Sequence, residues 1–304
     1  ANGLRFGTVS ALNNVTINGG IDTATAGASG IVSIDLNGTL TIADTTSTAD
    51  LSTVDVALDG TFTQTSSGGT ATIGIAGDFL TTGDTISFAS PIDLTGAVSI
   101  DTTSGAPAGA TLTFSETLDG SQDLVLNTGT VGDINFAGAV GGGTILGDVT
   151  VTNTGNVTAN NSFSSNTLLQ QAGTGTTTFN GAVTINDAGA GAGTGMDITT
   201  DTIAVNATMT TVNDGPATFT PATLLTILPA ADMNLDGPFT QDGAGSVQTG
   251  GDITTTNDNI DILRAIEITD PNTFSTGSTG AGDITFRSAV DGDGTPEDVT
   301  LISG

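Results

Sequence analysis

The stretch Gly132–Val140, GDINFAGAV, decides the fold class of this chain. Its apolar residues Ile134 and Phe136 are separated by one polar residue, and this alternation with period two is typical of a β-strand. Two close relatives of the stretch follow, TTTFNGAVTI at 176–185 and GDITFRSAV at 282–290. A chain that returns to one short strand pattern is built from repeats, so we expect a repeat architecture.

Strand-like runs of the same kind occur from one end of the chain to the other, for example IVSIDL (31–36) and DVTL (298–301). The breaks between them are Gly-containing steps such as Asn37-Gly38 and Asp119-Gly120, which favour turns. No extended segment shows helical spacing. The sequence therefore predicts an all-β protein.

The phenylalanine positions give the repeat length. Phe114 is followed by Phe136, and Phe219 by Phe239, at closely similar intervals. The intervals from Phe136 to Phe179 and from Phe179 to Phe219 are about twice as long, which suggests two repeats each. Repeats of such a short period are too small for propeller blades or sandwich domains, but they fit one coil of a parallel β-solenoid. We predict a single elongated parallel β-solenoid over residues 1–304, with about 14 coils, Gly/Asn/Asp bends, and loop insertions at 101–110 and 186–196.

A string of β-hairpins is the competing interpretation. The run IVSIDLNGTLTIA (31–43) reads equally well as two alternating strands around an Asn-Gly turn, which would give immunoglobulin-like repeats. Such modules are longer and usually keep Trp or Tyr in the core. The chain has neither residue, and its short period favours coils.

The composition excludes several classes of function. The chain has 32 acidic residues and three cations, Arg5, Arg264 and Arg287, which gives a net charge of −29. Nucleic-acid binding requires clustered Lys or Arg, so it is excluded. No apolar run approaches the roughly 20 residues of a transmembrane helix. The absence of Cys excludes disulfides and thiolate–zinc sites.

An acidic, cysteine-free chain rich in Thr, Gly and Asp is typical of exported bacterial surface proteins. We therefore expect an extracellular location. The first residues, ANGLRFG, carry no basic and apolar signal segment. We expect that a signal has been removed or that the chain is a piece of something longer.

The three related stretches, together with VTVTNTGNVTANNSF (149–163), resemble the repeats of giant secreted bacterial proteins. These are filamentous haemagglutinin-type adhesins and autotransporter-like passenger regions, and the resemblance in repeat style covers most of the chain from about Ala71. It implies a right-handed β-helix, export, and a role in adhesion or in a surface fibre. The chain lacks a secretion domain of the two-partner type, which suggests a fragment or subunit of a longer assembly.

The side chains that enzymes use most often are missing. Without His, Lys, Cys or Tyr, most general bases and activated nucleophiles are absent, so we predict no enzymatic activity. The alternative is a polysaccharide-active or polysaccharide-binding β-helix. Arg264, with Asp261 and Glu267 nearby, is the one place for its catalytic constellation, although an outward Arg paired with neighbouring acids explains it more simply.

One loop has the composition of a calcium site. The run DGDGTPED places Asp291, Asp293, Glu297 and Asp298 on a short Gly-containing loop. Calcium takes six to eight oxygen ligands, and alternating carboxylates supply several of them. The loop lacks the last glutamate of an EF-hand, and a solvated acidic turn is the simpler interpretation. We expect no required cofactor, with Ca²⁺ as the one candidate.

Several Thr-x-Thr triplets raise a further alternative, because flat threonine ladders on solenoids bind ice. They are TFT at 61–63, TLT at 111–113, TTT at 176–178, TMT at 208–210 and TFT at 218–220. Their spacings follow no single period, which argues against a regular array.

Together these patterns favour a non-enzymatic structural protein. The open backbone groups at both ends of a solenoid invite pairing with another copy. We expect a building block of a surface filament or adhesin stalk whose main partner is itself, with a surface polysaccharide or a host or neighbouring cell as the other candidate partner.

Overall fold

The computed structural model describes residues 4–6, 12–23, 30–44, 55–66, 71–191, 193–278, 280 and 282–304. Within these ranges the protein is all-β, with 33 strands and a single 3₁₀ turn at Gly189–Gly191. None of the described segments forms a helix with the length and apolar character needed to cross a bilayer. The chain divides into two compact units, Ala1–Asn160 and Asn161–Gly304.

The first unit contains strands β1 to β17. They are β1 Leu4–Phe6, β2 Leu12–Ile17, β3 Ile21–Asp22, β4 Val32–Ile42, β5 Val56–Leu58, β6 Phe62–Thr65, β7 Thr72–Ile75, β8 Phe79–Thr81, β9 Ile86–Phe88, β10 Ile92–Leu94, β11 Val98–Asp101, β12 Leu112–Phe114, β13 Leu118–Asp119, β14 Leu124–Asn127, β15 Ile134–Phe136, β16 Leu146–Asn153 and β17 Val157–Ala159.

The second unit contains strands β18 to β33. They are β18 Phe163–Gln170, β19 Thr176–Phe179, β20 Val183–Ile185, β21 Met196–Val205, β22 Met209–Thr211, β23 Ala217–Ile227, β24 Met233–Leu235, β25 Phe239–Gln241, β26 Ser246–Thr249, β27 Ile253–Thr255, β28 Ile260–Ile262, β29 Ile266–Ile268, β30 Asn272–Ser275, β31 Ile284–Phe286, β32 Val290–Gly292 and β33 Val299–Ile302.

Each strand pairs in parallel with its counterparts in the neighbouring turns. In the first unit this produces three sheets: β1, β4, β6, β9, β12, β15 and β17; β2, β4, β7, β10 and β13; and β3, β5, β8, β11, β14 and β16. The second unit also has three sheets: β18, β20, β22, β24, β27, β30 and β33; β18, β21, β23, β25, β28 and β31; and β19, β21, β23, β26, β29 and β32. Both units are therefore parallel β-solenoids, as predicted.

The hairpin alternative is wrong. The run around Asn37-Gly38 is one continuous strand, β4. Its first half pairs with β1 and β6 and its second half with β2 and β7, all in parallel. The Asn-Gly step is therefore a bend between two sheets. Gly38 is required there because a Cβ atom would collide with the carbonyl group of Asn13 one turn away.

The predicted count of about 14 coils is too high, because the described strands make about 11 turns. The turns differ in length. Val32 pairs with Phe62 in the next turn, and Val247 pairs with Ile266, so the first of these turns uses clearly more of the chain than the second. Longer connections, including the predicted insertion at 101–110 and the described part of the one at 186–196, add residues without adding a turn, although Met196 already belongs to β21.

Only some of the phenylalanine intervals measure the repeat length. Phe114 does pair with Phe136 in the next turn. Phe179, however, pairs with Val205 in one sheet of the second unit, whereas Phe219 pairs with Gln241 in another. The interval between Phe179 and Phe219 therefore joins two different sheets and measures no repeat.

The core lies inside the coils, where the inward side chains of successive turns stack in rows. The ring of Phe114 stacks on Phe88 at 5.6 Å and on Phe136 at 5.3 Å between centroids, nearly parallel in both cases. Each of these rings is at most 2% exposed. Full burial of such a side chain contributes about 1.5–3 kcal/mol, so the apolar rows are a major source of stability.

The repeated GDINFAGAV stretch shows how one short motif forms part of a turn. Gly132 lies where a Cβ atom would strike the carbonyl groups of Thr128 and Ala110, so only glycine fits this bend. Ile134 and Phe136 then point inward on β15. The motif recurs because a turn of this kind requires a tight bend that is followed by two inward-pointing apolar residues.

We expect Phe114→Ala to lower the free energy of unfolding by about 3–5 kcal/mol, because it opens a gap in the stacked row. Val131→Ala is the matched control, since Val131 is 69% exposed on a bend of the same unit, and its effect should stay within about 0.5 kcal/mol. Denaturant unfolding followed by circular dichroism measures both. Equal effects of the two substitutions would contradict the stacked core.

Candidate functional site

Asp and Asn side chains at the bends accept backbone hydrogen bonds from a neighbouring turn. Asp133 Oδ1 accepts from the N–H of Asn156 at 2.9 Å, and Asp252 Oδ1 accepts from the N–H of Thr273 at 2.7 Å. The same arrangement occurs at Asn14, Asp55, Asp78, Asp119, Asp123, Asp232 and Asn259. Many of the acidic residues therefore have a structural role between turns.

Two of these carboxylates are buried, and their hydrogen bonds form a chain across three successive turns. Asp55 Oδ2 accepts from the N–H of Asp78 at 3.1 Å, and Asp78 Oδ1 accepts from the N–H of Ser99 at 2.6 Å. Asp55 is 3% and Asp78 1% exposed. A carboxylate at such depth needs hydrogen-bond donors, and backbone N–H groups supply them here.

The four residues of the predicted calcium loop are distributed over a strand and the connection that follows it. Asp291 lies in β32 opposite Glu267 of β29. Asp293 Oδ1 accepts from the N–H and hydroxyl of Thr295 at 3.0 and 2.7 Å, and this hydroxyl also contacts Glu297. Within the described ranges, no three His, Cys, Asp or Glu side chains are grouped to hold a metal ion. Calcium binding stays a prediction from sequence.

Two aspartates have pKa values shifted in opposite directions. Burial raises the pKa of Asp197, and the negative charge of Asp242 raises it further. The pKa of Asp293 is lowered, first by the backbone hydrogen bond from Thr295 and then by the bond from its hydroxyl. No cation is among the causes of either shift.

The structure does not assemble the predicted constellation at Arg264. Arg264 Nε donates to the carbonyl of Gly243 at 3.1 Å instead of pairing with an acid. Asp261 is bound by Arg287 through two hydrogen bonds of 2.8 and 2.6 Å. Glu267 accepts from Gln248 Nε2 at 2.6 Å. The simpler interpretation of Arg264 as the partner of neighbouring acids is therefore also wrong, because its partner is a backbone carbonyl.

A shallow groove of about 450 Å³ opens on the second unit between successive bends. Gly173, Thr200, Asp201 and Pro221 are among its lining residues. None of the described residues that line it is a cation, and Asp201 already accepts a hydrogen bond of 2.6 Å from the hydroxyl of Thr223. The groove therefore offers no pair of groups suited to acid–base chemistry among the residues described.

A more regular surface lies on the first sheet of the first unit. At the start of β6, β9 and β12, the first strand residue points inward and is apolar, and the residues immediately before and after it carry outward hydroxyl groups. These six residues, which we call the hydroxyl face, are Thr61, Thr63, Thr85, Ser87, Thr111 and Thr113. Thr63 and Thr113 both pair with Ser87, and the N–H groups of Phe62 and Ile86 donate to the carbonyls of Thr85 and Thr111. The six therefore form two rows across three turns.

The expectation that the triplets form no regular array is wrong for the first unit. TFT at 61–63 and TLT at 111–113 are two turns apart, and the parallel pairing of both with β9 keeps them in register although the two intervening turns differ slightly in length. The sequence signal was the shared form of TFT, TIS and TLT in three strand runs that are separated from one another by other strands. In the second unit the triplets at 176–178, 208–210 and 218–220 belong to three different sheets and form no such array.

Comparison with known proteins gives no match of this chain to a family model, a curated protein or a solved structure.

We expect Asp197→Asn and Asp293→Asn to change stability in opposite directions at pH 7. A raised pKa in the folded state means that the contribution of Asp197 is present below its unfolded pKa and is lost as the pH rises through the folded value. The lowered pKa of Asp293 gives a contribution that is present above its unfolded pKa and is lost as the pH falls through the folded value.

Asp197→Asn should therefore raise the melting temperature at pH 7 and Asp293→Asn should lower it. Both differences should be small, because Asp293 is exposed and Asp197 is only partly buried. They should fade well below pH 3.8, the ordinary pKa of aspartate. Thermal unfolding across this range measures the effect, and shifts of the same sign at pH 7 would contradict the assignment.

The calcium prediction is decided by thermal unfolding with calcium and with a chelator. If the loop binds Ca²⁺, calcium raises the melting temperature, since a ligand that binds only the folded state stabilises it. Asp293→Asn should abolish that rise, whereas Asp148→Asn in the first unit should retain it. A melting temperature that is unchanged by calcium and chelator would remove the loop as a site.

Proposed function

We propose that this chain is a non-enzymatic extracellular structural protein, a building block of a surface filament or adhesin stalk that assembles by end-to-end stacking of β-strands. The observation that carries the proposal is the open coil of the second unit, formed by β31, β32 and β33. Its inward positions are half-buried in β31 and exposed in β32 and β33, although the same positions one turn earlier are buried.

The contrast between these two turns is large. Leu301 is 56% exposed, whereas Phe274, its partner in β30, is 0% exposed. Val290 is 38% exposed, whereas Ile266, its partner in β29, is 2% exposed. Burial of exposed apolar surface by one more coil would contribute about 25 cal/mol for each Å² removed from water.

The first unit has a corresponding open coil, formed by β1, β2 and β3. Leu4 is 41% exposed, and its partner Val32 is 0% exposed. Within the described ranges, each of these coils pairs with a neighbouring turn on one side only, so its free edge can pair with a further coil of the same polypeptide or of another copy. Because the two coils differ, contact between copies would be head-to-tail, and a head-to-tail contact that does not close a ring produces a filament.

Export, adhesion, handedness and partners are inferred from the sequence and from general rules of protein structure. The resemblance to filamentous haemagglutinin-type and autotransporter-like repeats supports export and adhesion. A right-handed coil is expected because parallel strands in one sheet are almost always joined by right-handed connections. The acidic composition agrees with an extracellular location, and the chain would have itself, a surface polysaccharide or a neighbouring cell as partners.

The polysaccharide-active alternative receives less support. It required an acid–base constellation around Arg264, whose guanidinium instead donates to the carbonyl of Gly243. Sugar-binding grooves also commonly use Trp or Tyr, and the sequence has neither. No observation on the described surface favours this function over the structural one.

Negative-stain microscopy and light scattering of the purified chain at increasing concentration test the filament proposal. We expect long thin fibres from the wild type. Leu301→Lys should remove them, because a charge would be buried against the next copy. Val131→Lys is the matched control on an exposed bend and should still form fibres.

Leu301→Lys should leave the melting temperature of the single chain nearly unchanged, because Leu301 is already more than half exposed. Single particles of wild type at every concentration would overturn the proposal. Fibres from Leu301→Lys that match those of the wild type would overturn the assignment of the open coil as the contact.

A further inference from the structure

We propose that the hydroxyl face of the first unit binds the ordered water of an ice surface. This inference does not depend on filament assembly, because the face lies on the side of the first unit and away from its open coil. It rests on the geometry of the six residues, on their unused hydrogen-bonding groups and on the absence of charge among them.

The six side chains form a grid. Neighbouring strands in a sheet lie about 4.8 Å apart, and residues i and i+2 of one strand lie roughly 6.6 Å apart on the same side. Thr63, Ser87 and Thr113 form one row because they pair directly in register. Thr61, Thr85 and Thr111 form the parallel row two residues earlier, so hydroxyl groups repeat regularly in two directions.

The hydroxyl groups of the grid are available for an external partner. None of the six side chains makes a hydrogen bond within the described structure, and all six are partly or fully exposed. Other threonines behave differently. The hydroxyl of Thr82 donates to Asp59 at 2.7 Å, and that of Thr220 donates to Asp242 at 2.6 Å.

The grid is also free of charge, although the chain carries 32 acidic residues. The two rows continue into Asp133 and Asn135 of the β15 turn, so the neutral part has a defined boundary on that side. A carboxylate orders water around its own charge. A threonine offers one hydroxyl and one methyl group, which accommodate a lattice of neutral, hydrogen-bonded water molecules.

The grid is held rigidly from behind. The inward neighbours of its residues are Phe62, Ile86, Phe88, Leu112 and Phe114, each at most 2% exposed. A surface that is already ordered before contact loses little conformational entropy on binding. This matters for a crystalline ligand, which cannot adjust its own spacing to the protein.

The chemistry of the grid favours ice over other repeating ligands. A polyanion would need cations, and the six residues have none. Sugar chains would favour aromatic platforms, which the chain lacks apart from phenylalanine. Neutral hydroxyl groups that repeat at the spacing of β-strands resemble the oxygen array of an ice surface, and this is the ligand that we assign.

Single-crystal growth in a nanolitre osmometer, with a fluorescently labelled full chain, tests the assignment. We expect the wild type to adsorb to ice, to shape the crystal and to lower its growth temperature below its melting temperature. The double variant Thr63→Lys/Thr113→Lys should lose all three effects. Thr210→Lys/Thr254→Lys is the matched control, because these threonines also face outward, on β22 and β27 of the second unit.

Equal melting temperatures of the two double variants, measured by circular dichroism, would show that the loss is not due to unfolding. A wild type that leaves ice growth unchanged would overturn the proposal. Activity that survives in Thr63→Lys/Thr113→Lys, or that is lost equally in the control, would also overturn it. Thr63→Ser/Thr113→Ser keeps the hydroxyl groups without the methyl groups and should retain only part of the activity.

Discussion

The in-register hydrogen bonding of parallel strands between successive turns is the constraint on which the rest of the structure depends. It fixes the position of each residue relative to its counterpart about one turn away, so that apolar side chains meet apolar side chains and outward residues form rows. Ile86, for example, lies between Phe62 and Leu112 within one sheet. The same register aligns the residues of the core, the bend carboxylates with the backbone groups they bind, and the outward positions of the hydroxyl face.

The fold class could be predicted because the pairing between turns imposes a pattern that is visible in short stretches of the sequence. Alternating residues, Gly-containing bends and a short period suffice for a parallel solenoid, and they correctly outweigh the hairpin signal at Asn37-Gly38. The number of turns could not be predicted, because pairing constrains the strands and leaves the connections free to vary in length from one turn to the next. An assumed constant period therefore assigns Phe179 and Phe219 wrongly to the same row of inward residues.

The candidate sites were less predictable, because their partners lie a full turn away in the sequence. Asp133 looks like a turn residue, and its bond to the N–H of Asn156 in the next turn has no local signature. Arg264 and Asp261 are neighbours in sequence, yet Asp261 pairs with Arg287 of the next turn. The rows of the hydroxyl face were hidden for the same reason, since TFT and TLT align only once the lengths of the turns between them are known.

The fold itself does not require hydroxyl residues at the outward positions of β6, β9 and β12. Threonine suits a strand, but the same rows continue as Asp133 and Asn135 in the β15 turn without any break in the pairing. Outward residues contribute little to a solenoid, whose stability comes mainly from contacts between adjacent repeats. A charge-free grid in so acidic a chain is therefore not explained by folding alone, whereas the bend carboxylates are explained by the backbone groups that they bind. This difference between the two sets of polar residues is the physical reason to seek a ligand at the hydroxyl face and a structural role at the bends.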